Sequence, residues 1–256
     1  MSVDMNVYRF RQELQKLPSF APRGEFDAVV NRAGVPAWRA AFTSVALMRH
    51  VAGYRLPDLD LFIRCYTRNF KEFERFRETK PEKYELVMTA GGQPTPGFLR
   101  RLSIWYETGI TEMYVYVVLV QVIEDELKRG LVVYDARVDW KEKCDALILS
   151  GGRAFRIDTH FDPGQTRDVI VKRREEAEYL AKANTSVSAH WGNAELNALQ
   201  QFSVVRSAAD HEEFNGFRLF SRASLDGLLT QVYDALEVDA ANRVSMDKLL
   251  TTRPGQ

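Results

Sequence analysis

Cysteine is scarce in this chain: Cys65 and Cys144 are the only two among 256 residues. Two thiols cannot supply the framework of a disulfide-stapled domain. Neither lies in a Cys-x-x-Cys or Cys/His arrangement with zinc-ligand spacing, so reduced thiols in a cytoplasmic protein are the expectation. Long hydrophobic runs are lacking as well. The longest, Met113 to Ile123, is shorter than a bilayer requires and contains Gln121, so no membrane partner is expected. No opening segment joins a basic stretch to an apolar run and a small-residue cleavage site, which argues against secretion. Gly91-Gly92 and Gly151-Gly152 have neither Walker nor dinucleotide-binding context, and no Gly-x-Ser-x-Gly elbow surrounds Ser150. His50, His190 and His211 have no metal-ligand spacing to one another. Internal repeats and low-complexity tracts are absent.

What is present fits a globular protein: 45% hydrophobic and 27% charged residues, in a chain long enough for one large domain or two smaller ones. The formal net charge of zero conceals an asymmetry. Residues 1–109 hold 17 Lys/Arg against 12 Asp/Glu, and the remainder hold 18 against 23. A mildly basic first part suits a polyanionic partner such as DNA or RNA.

Val7, Phe10, Leu14 and Leu17 recur at helical spacing, and Pro18 stops that helix. A short helix over Phe26–Arg32 closes at Gly34, and an alanine-rich one spans Ala37–Ala52. Asp58 stands where it would cap a long helix over Leu59–Thr79. On it, Phe62, Tyr66, Phe70 and Phe73 form an aromatic stripe whose spacing marks it as core. Arg64, Arg68, Lys71 and Arg75 fall on other faces and are the candidate phosphate contacts. The Thr89–Pro96 stretch, rich in Gly and Pro, is the expected boundary between a helical domain (1–94) and an α/β domain (95–256).

Beyond it, Phe98–Tyr106 has helical character, and Thr111 followed by Glu112 stands where it would cap a further helix running to Lys128. Tyr114–Val118 has strand propensity, but the length of the segment favours a buried helix. Three β-like runs follow: Leu131–Val138, Cys144–Leu149 and Ala154–Phe161. Asp145 opens the second and Asp158 lies near the end of the third, with a Gly151-Gly152 turn between them that can bring both carboxylates to one sheet edge. Cys144, at the start of an apolar run, is expected to be buried. A charged helix over Arg167–Ala183, a helix over Trp191–Gln201, strands at Phe202–Arg206 and Phe217–Ser221, and a helix capped by Ser224 complete the chain. Three strands joined by short turns, then a helix crossing over to another strand, give an antiparallel meander with a crossover.

This order, with Asp145 heading one strand and Asp158-Thr159-His160 on the next, resembles the PD-(D/E)XK nuclease superfamily over about residues 105–236. The resemblance implies a helical amino-terminal domain followed by a restriction-endonuclease-like αβββαβ core with a mixed sheet. It also implies Mg²⁺-dependent (or Mn²⁺-dependent) hydrolysis of DNA by an endonuclease, within a multi-subunit assembly or homo-oligomer. Asp145 and Asp158 take the positions of the metal-binding acids, with Glu112, Glu124 or Glu126 available from the preceding helix. His160 stands where the family has lysine, and Lys172 is the nearest alternative cation. That departure leaves open a nuclease-like protein without activity, which binds nucleic acid or scaffolds a mobile-element or defence complex.

Overall fold

In the computed structural model, the described residues are 6–51, 55–134, 144–161, 199–206 and 209–252. They divide into two compact units, one of Met1–Phe10, Glu112–Glu213 and Arg218–Gln256, the other of Arg11–Thr111 and Phe214–Phe217. The division falls between Thr111 and Glu112, not at the Thr89–Pro96 loop where the sequence placed it. The loop is a tight reversal closed on itself. Thr89 N–H donates to Gln93 O at 2.8 Å, Thr95 N–H donates to Val87 O at 2.8 Å, and Met88 bridges to Pro94. Gly92 supplies the positive φ of 70° that the reversal needs.

The helical unit holds most of α1 (Val7–Lys16), then α2 (Ala28–Asn31), α3 (Arg39–Val51), α4 (Leu59–Arg64), α5 (Lys71–Thr79), α6 (Pro81–Val87) and the first part of α7 (Pro96–Val120). Asp27 caps α2 and Asp58 caps α4 through their carboxylates, as their positions before apolar runs require. The continuous helix expected over Leu59–Thr79 is broken. Residues Cys65–Asn69 form a π-helical turn, and Phe70 is extended (φ −89°, ψ 109°) before α5 begins. Three of the four stripe residues are core all the same, because an apolar ring gains more from burial than from contact with water, whereas Phe70 is only half-buried. Phe62, Tyr66 and Phe73 are buried, and Tyr66 packs 5.1 Å from Phe73. Its hydroxyl donates to Pro36 O at 2.5 Å.

Helix α7 is one uninterrupted element, so Thr111 is not a cap. Its hydroxyl instead donates to Glu107 O at 2.8 Å, a back-bond within the helix. The strand propensity of Tyr114–Val118 is overridden because this stretch is buried on most sides. A π-helical turn at Gln121–Glu126 follows.

In the other unit, β1 (Leu131–Val133), β2 (Ala146–Ser150), β3 (Arg153–Phe161) and β4 (Leu199–Arg206) form a mixed sheet in that order. β1–β2 and β2–β3 are antiparallel, and β3–β4 is parallel. The glycine hairpin is present as the sequence suggests. Ser150 pairs with Arg153, and Gly151 and Gly152 both have positive φ (55° and 74°), the conformation of a two-residue hairpin turn. A parallel neighbour requires a crossover connection, and that segment, residues 162–198, lies outside the described residues. The helix expected over Arg167–Ala183 falls there. The helix over Trp191–Gln201 falls partly there, but its last residues from Leu199 onward belong to β4.

A second hairpin, β5 (His211–Phe214) and β6 (Phe217–Phe220), turns at Asn215–Gly216, both with positive φ. The Asn-Gly pair is the residue signal for β5, which the sequence analysis did not assign. Helix α8 (Arg222–Ala235) and α9 (Met246–Thr251) close the chain. Ser221, not Ser224, caps α8. Its hydroxyl accepts from Ser224 N–H at 3.1 Å, because the helix begins three residues earlier than its apolar periodicity suggests. Among the described residues, no helix is long and apolar enough to cross a membrane.

Candidate functional site at the β2–β3 edge

The mixed sheet buries an unusual set of polar side chains. Asp145 (7% exposed), Asp158 (8%) and His160 (7%) are joined by Arg156, Thr159 and Arg206. Burying a charged group is costly unless hydrogen bonds or an opposite charge compensate it, so such a cluster within one small sheet is a candidate site. Apolar side chains of the same strands pack separately: Cys144, Leu147 and Ala154 form a buried cluster with Val133 and Leu149 against it, which gives Cys144 its expected burial. Phe155 stacks on Phe202 at 6.0 Å.

Register explains how the acids are placed. Ala146 pairs with Ile157, so the residue before β2 stands beside the Asp158 end of β3. Asp145 N–H donates to Ile157 O at 2.9 Å, extending the ladder by one bond. Its carboxylate then reaches Thr159. Oδ2 accepts from the Thr159 N–H and from the Thr159 hydroxyl, both at 2.6 Å. The carboxylate thus takes the place of a backbone carbonyl on the strand edge where β2 has ended. Thr159 is the residue between Asp158 and His160. Asp145 thus meets β3 at Thr159, whose side chain alternates to the face opposite Asp158 and His160.

Alternation along the extended β3 places Arg156, Asp158 and His160 on one face. Across the parallel pairing, Asp158 stands beside Ser203 and His160 beside Val205. Arg156 and Thr159 were not among the candidates from the sequence. Their signal was available in the period-2 spacing of Arg156, Asp158 and His160, and in a hydroxyl flanked by two candidate site residues.

The helix glutamates separate. Glu112 is buried on α7. Glu124, in the turn after α7, accepts the Val132 N–H at 2.7 Å and so satisfies a donor of the edge strand β1. Its charge, together with burial as the larger effect, pushes the Tyr116 hydroxyl up to about 12. Glu126 faces Lys248 at 3.5 Å. Arg64, Arg68, Lys71 and Arg75 are all exposed on or beside the broken α4–α5 region, as phosphate contacts need to be. Lys172 lies outside the described residues, as do His190 and Trp191.

Asp145 and Asp158 are hard oxygen donors. Magnesium keeps much of its water and is commonly held by one or two carboxylates plus substrate phosphates, so two carboxylates suffice in kind. Among the described residues, no group of three His, Cys, Asp or Glu side chains could hold a metal ion. No protein-family model, no curated protein and no solved structure matches this chain.

Proposed function

We propose that this chain is a PD-(D/E)XK-type nuclease that hydrolyses phosphodiester bonds of DNA with Mg²⁺ or Mn²⁺, acting with a protein partner or as a homo-oligomer in the cytoplasm. The observation that carries the reading is the placement of two buried acids at one end of neighbouring strands, Asp145 just before β2 and Asp158 on β3, where Ala146 pairs with Ile157. It is supported by the order helix, antiparallel β1–β2–β3, then parallel β4. Asp145 and Asp158 would hold the divalent ion, with water and the substrate's phosphate oxygens filling its remaining positions. The ion's contribution would be to activate water and to neutralise charge on the scissile phosphate.

The chain's own residues supply the rest. Arg156 carries a permanent positive charge two residues before Asp158 on the same strand face, which balances the buried acid and favours an approaching phosphate. His160, in the position that lysine holds in the family, can donate a proton to the leaving oxygen when protonated. The exposed Arg64, Arg68, Lys71 and Arg75 give sequence-independent affinity for the DNA backbone. The test is direct: purified protein with Mg²⁺ or Mn²⁺ cuts duplex, single-stranded or branched DNA, and Asp158→Asn abolishes cutting while leaving the melting temperature near wild type. A wild-type protein inert on all three substrates would overturn the reading.

One observation favours a second reading, in which the same fold binds DNA or scaffolds an assembly without cutting. Asp145 Oδ2 is already held by two donors of Thr159, a structural use of the carboxylate. On that reading Mg²⁺ leaves the melting temperature unchanged.

A further inference from the structure

The break between α4 and α5 opens a cavity in the helical unit. Its volume is ≈ 280 Å³, near the lower end of small-ligand sites. Its walls include Arg68, Phe70, Glu74, Arg77 and Tyr84. Local chain geometry accounts for it. In a continuous helix Phe70 would follow Phe62 and Tyr66 into the core, but the π-helical turn and the extended Phe70 release its ring to a half-buried position. Isolated π-helical turns recur at functional sites. Phe70 remains 5.4 Å from Tyr66, and Tyr84 5.7 Å from Phe73, so both half-buried rings are held by buried neighbours. The charged lining is two arginines against one acid. Arg77 meets Glu74 only at 3.7 Å, and Arg68 is exposed with no ion-pair partner among the described residues.

We infer that this cavity seats one nucleotide of single-stranded DNA, its base against Phe70 and Tyr84 and its phosphates on Arg68 and Arg77. The inference rests on the nucleic-acid reading above and names the form of strand it engages. Aromatic rings that accept any base face, beside cations that follow the backbone, are the general means of gripping an unpaired strand. A duplex keeps its bases stacked and offers none to such a pocket. Neighbouring Lys71 and Arg75, both exposed, extend the positive surface past the cavity.

The experiment measures binding of a fluorescein-labelled oligothymidylate to the full chain by anisotropy, in EDTA, over a salt series. Phe70→Leu keeps apolar volume but removes the ring, and should weaken binding roughly 5- to 100-fold. Arg68→Gln, at an exposed position that folding does not depend on, should lower the salt slope by about 1. Thymidine monophosphate should compete far more weakly than the strand. Wild type that fails to bind, variants that bind with unchanged affinity and slope, or a mononucleotide that competes as well as the strand would each overturn the proposal. Because EDTA removes cleavage, binding without cutting on Mg²⁺ addition would sink the nuclease reading alone. Cutting with binding indifferent to both variants would sink this one alone.

Discussion

Replacing Asp145 by alanine and by asparagine should give two different proteins, and the difference measures what the carboxylate does in the fold. Alanine removes the acceptor of two buried bonds, leaving the Thr159 N–H and hydroxyl without it. Each orphaned donor costs about 1–3 kcal/mol, so the pair costs about 2–6 kcal/mol. For a protein of this size that is a fall in melting temperature on the order of 4–24 °C. Asparagine keeps an oxygen able to accept both bonds. It loses the extra strength of a charged acceptor but no longer buries a charge, and these effects offset to within about 1 kcal/mol. On the proposed nuclease reading both variants lose a carboxylate that would bind the metal, so both should be inactive, and only alanine should be markedly destabilised. Urea unfolding followed by far-ultraviolet circular dichroism, with a DNA-cutting assay on the same preparations, reads both quantities. If alanine costs no more than asparagine, the carboxylate is not anchored on Thr159 and the site as described is wrong.

Gly109→Ala should destabilise the helical unit. The new Cβ would lie 2.7 Å from the ring of Phe42, which is buried and held by Phe62 at 5.8 Å. An overpacking cost of about 1–3 kcal/mol exceeds the helix-propensity gain of about 1 kcal/mol, and Phe42→Leu should relieve it in a thermal melt of the double variant. Ser221→Ala should cost about 1 kcal/mol in urea unfolding, as loss of a helix cap does. Tyr116 has its folded pKa raised to about 12 from the usual 10. Its neutral form is therefore favoured by folding, full stability holds below pH 10 and falls between 10 and 12. Tyr116→Phe should flatten that decline, and an unchanged alkaline profile would contradict it.

The glycine hairpin, the aromatic stripe and the buried Cys144 were legible because each is a local rule written in adjacent or periodic residues. The helix break at Phe70 was not legible: Leu59–Thr79 has continuous helical spacing, and only packing of Tyr66 among its neighbours and the bond to Pro36 O show how the stripe is split. The unit division inside α7 was equally hidden, since a Gly- and Pro-rich loop reads as a linker until its cross-loop hydrogen bonds are seen.

Apolar runs and turn glycines are enough to set β2, β3 and their hairpin, though not β5 or the start of β4, and they brought Asp145 and Asp158 into view as candidates. Which atom of Asp145 meets which donor depends on register between β2 and β3, a long-range pairing that no local pattern encodes. The burial of Arg156 beside Asp158, and the opening between Phe70 and Tyr84, were likewise decided by tertiary packing, because they arise only when distant segments exclude water from the same place.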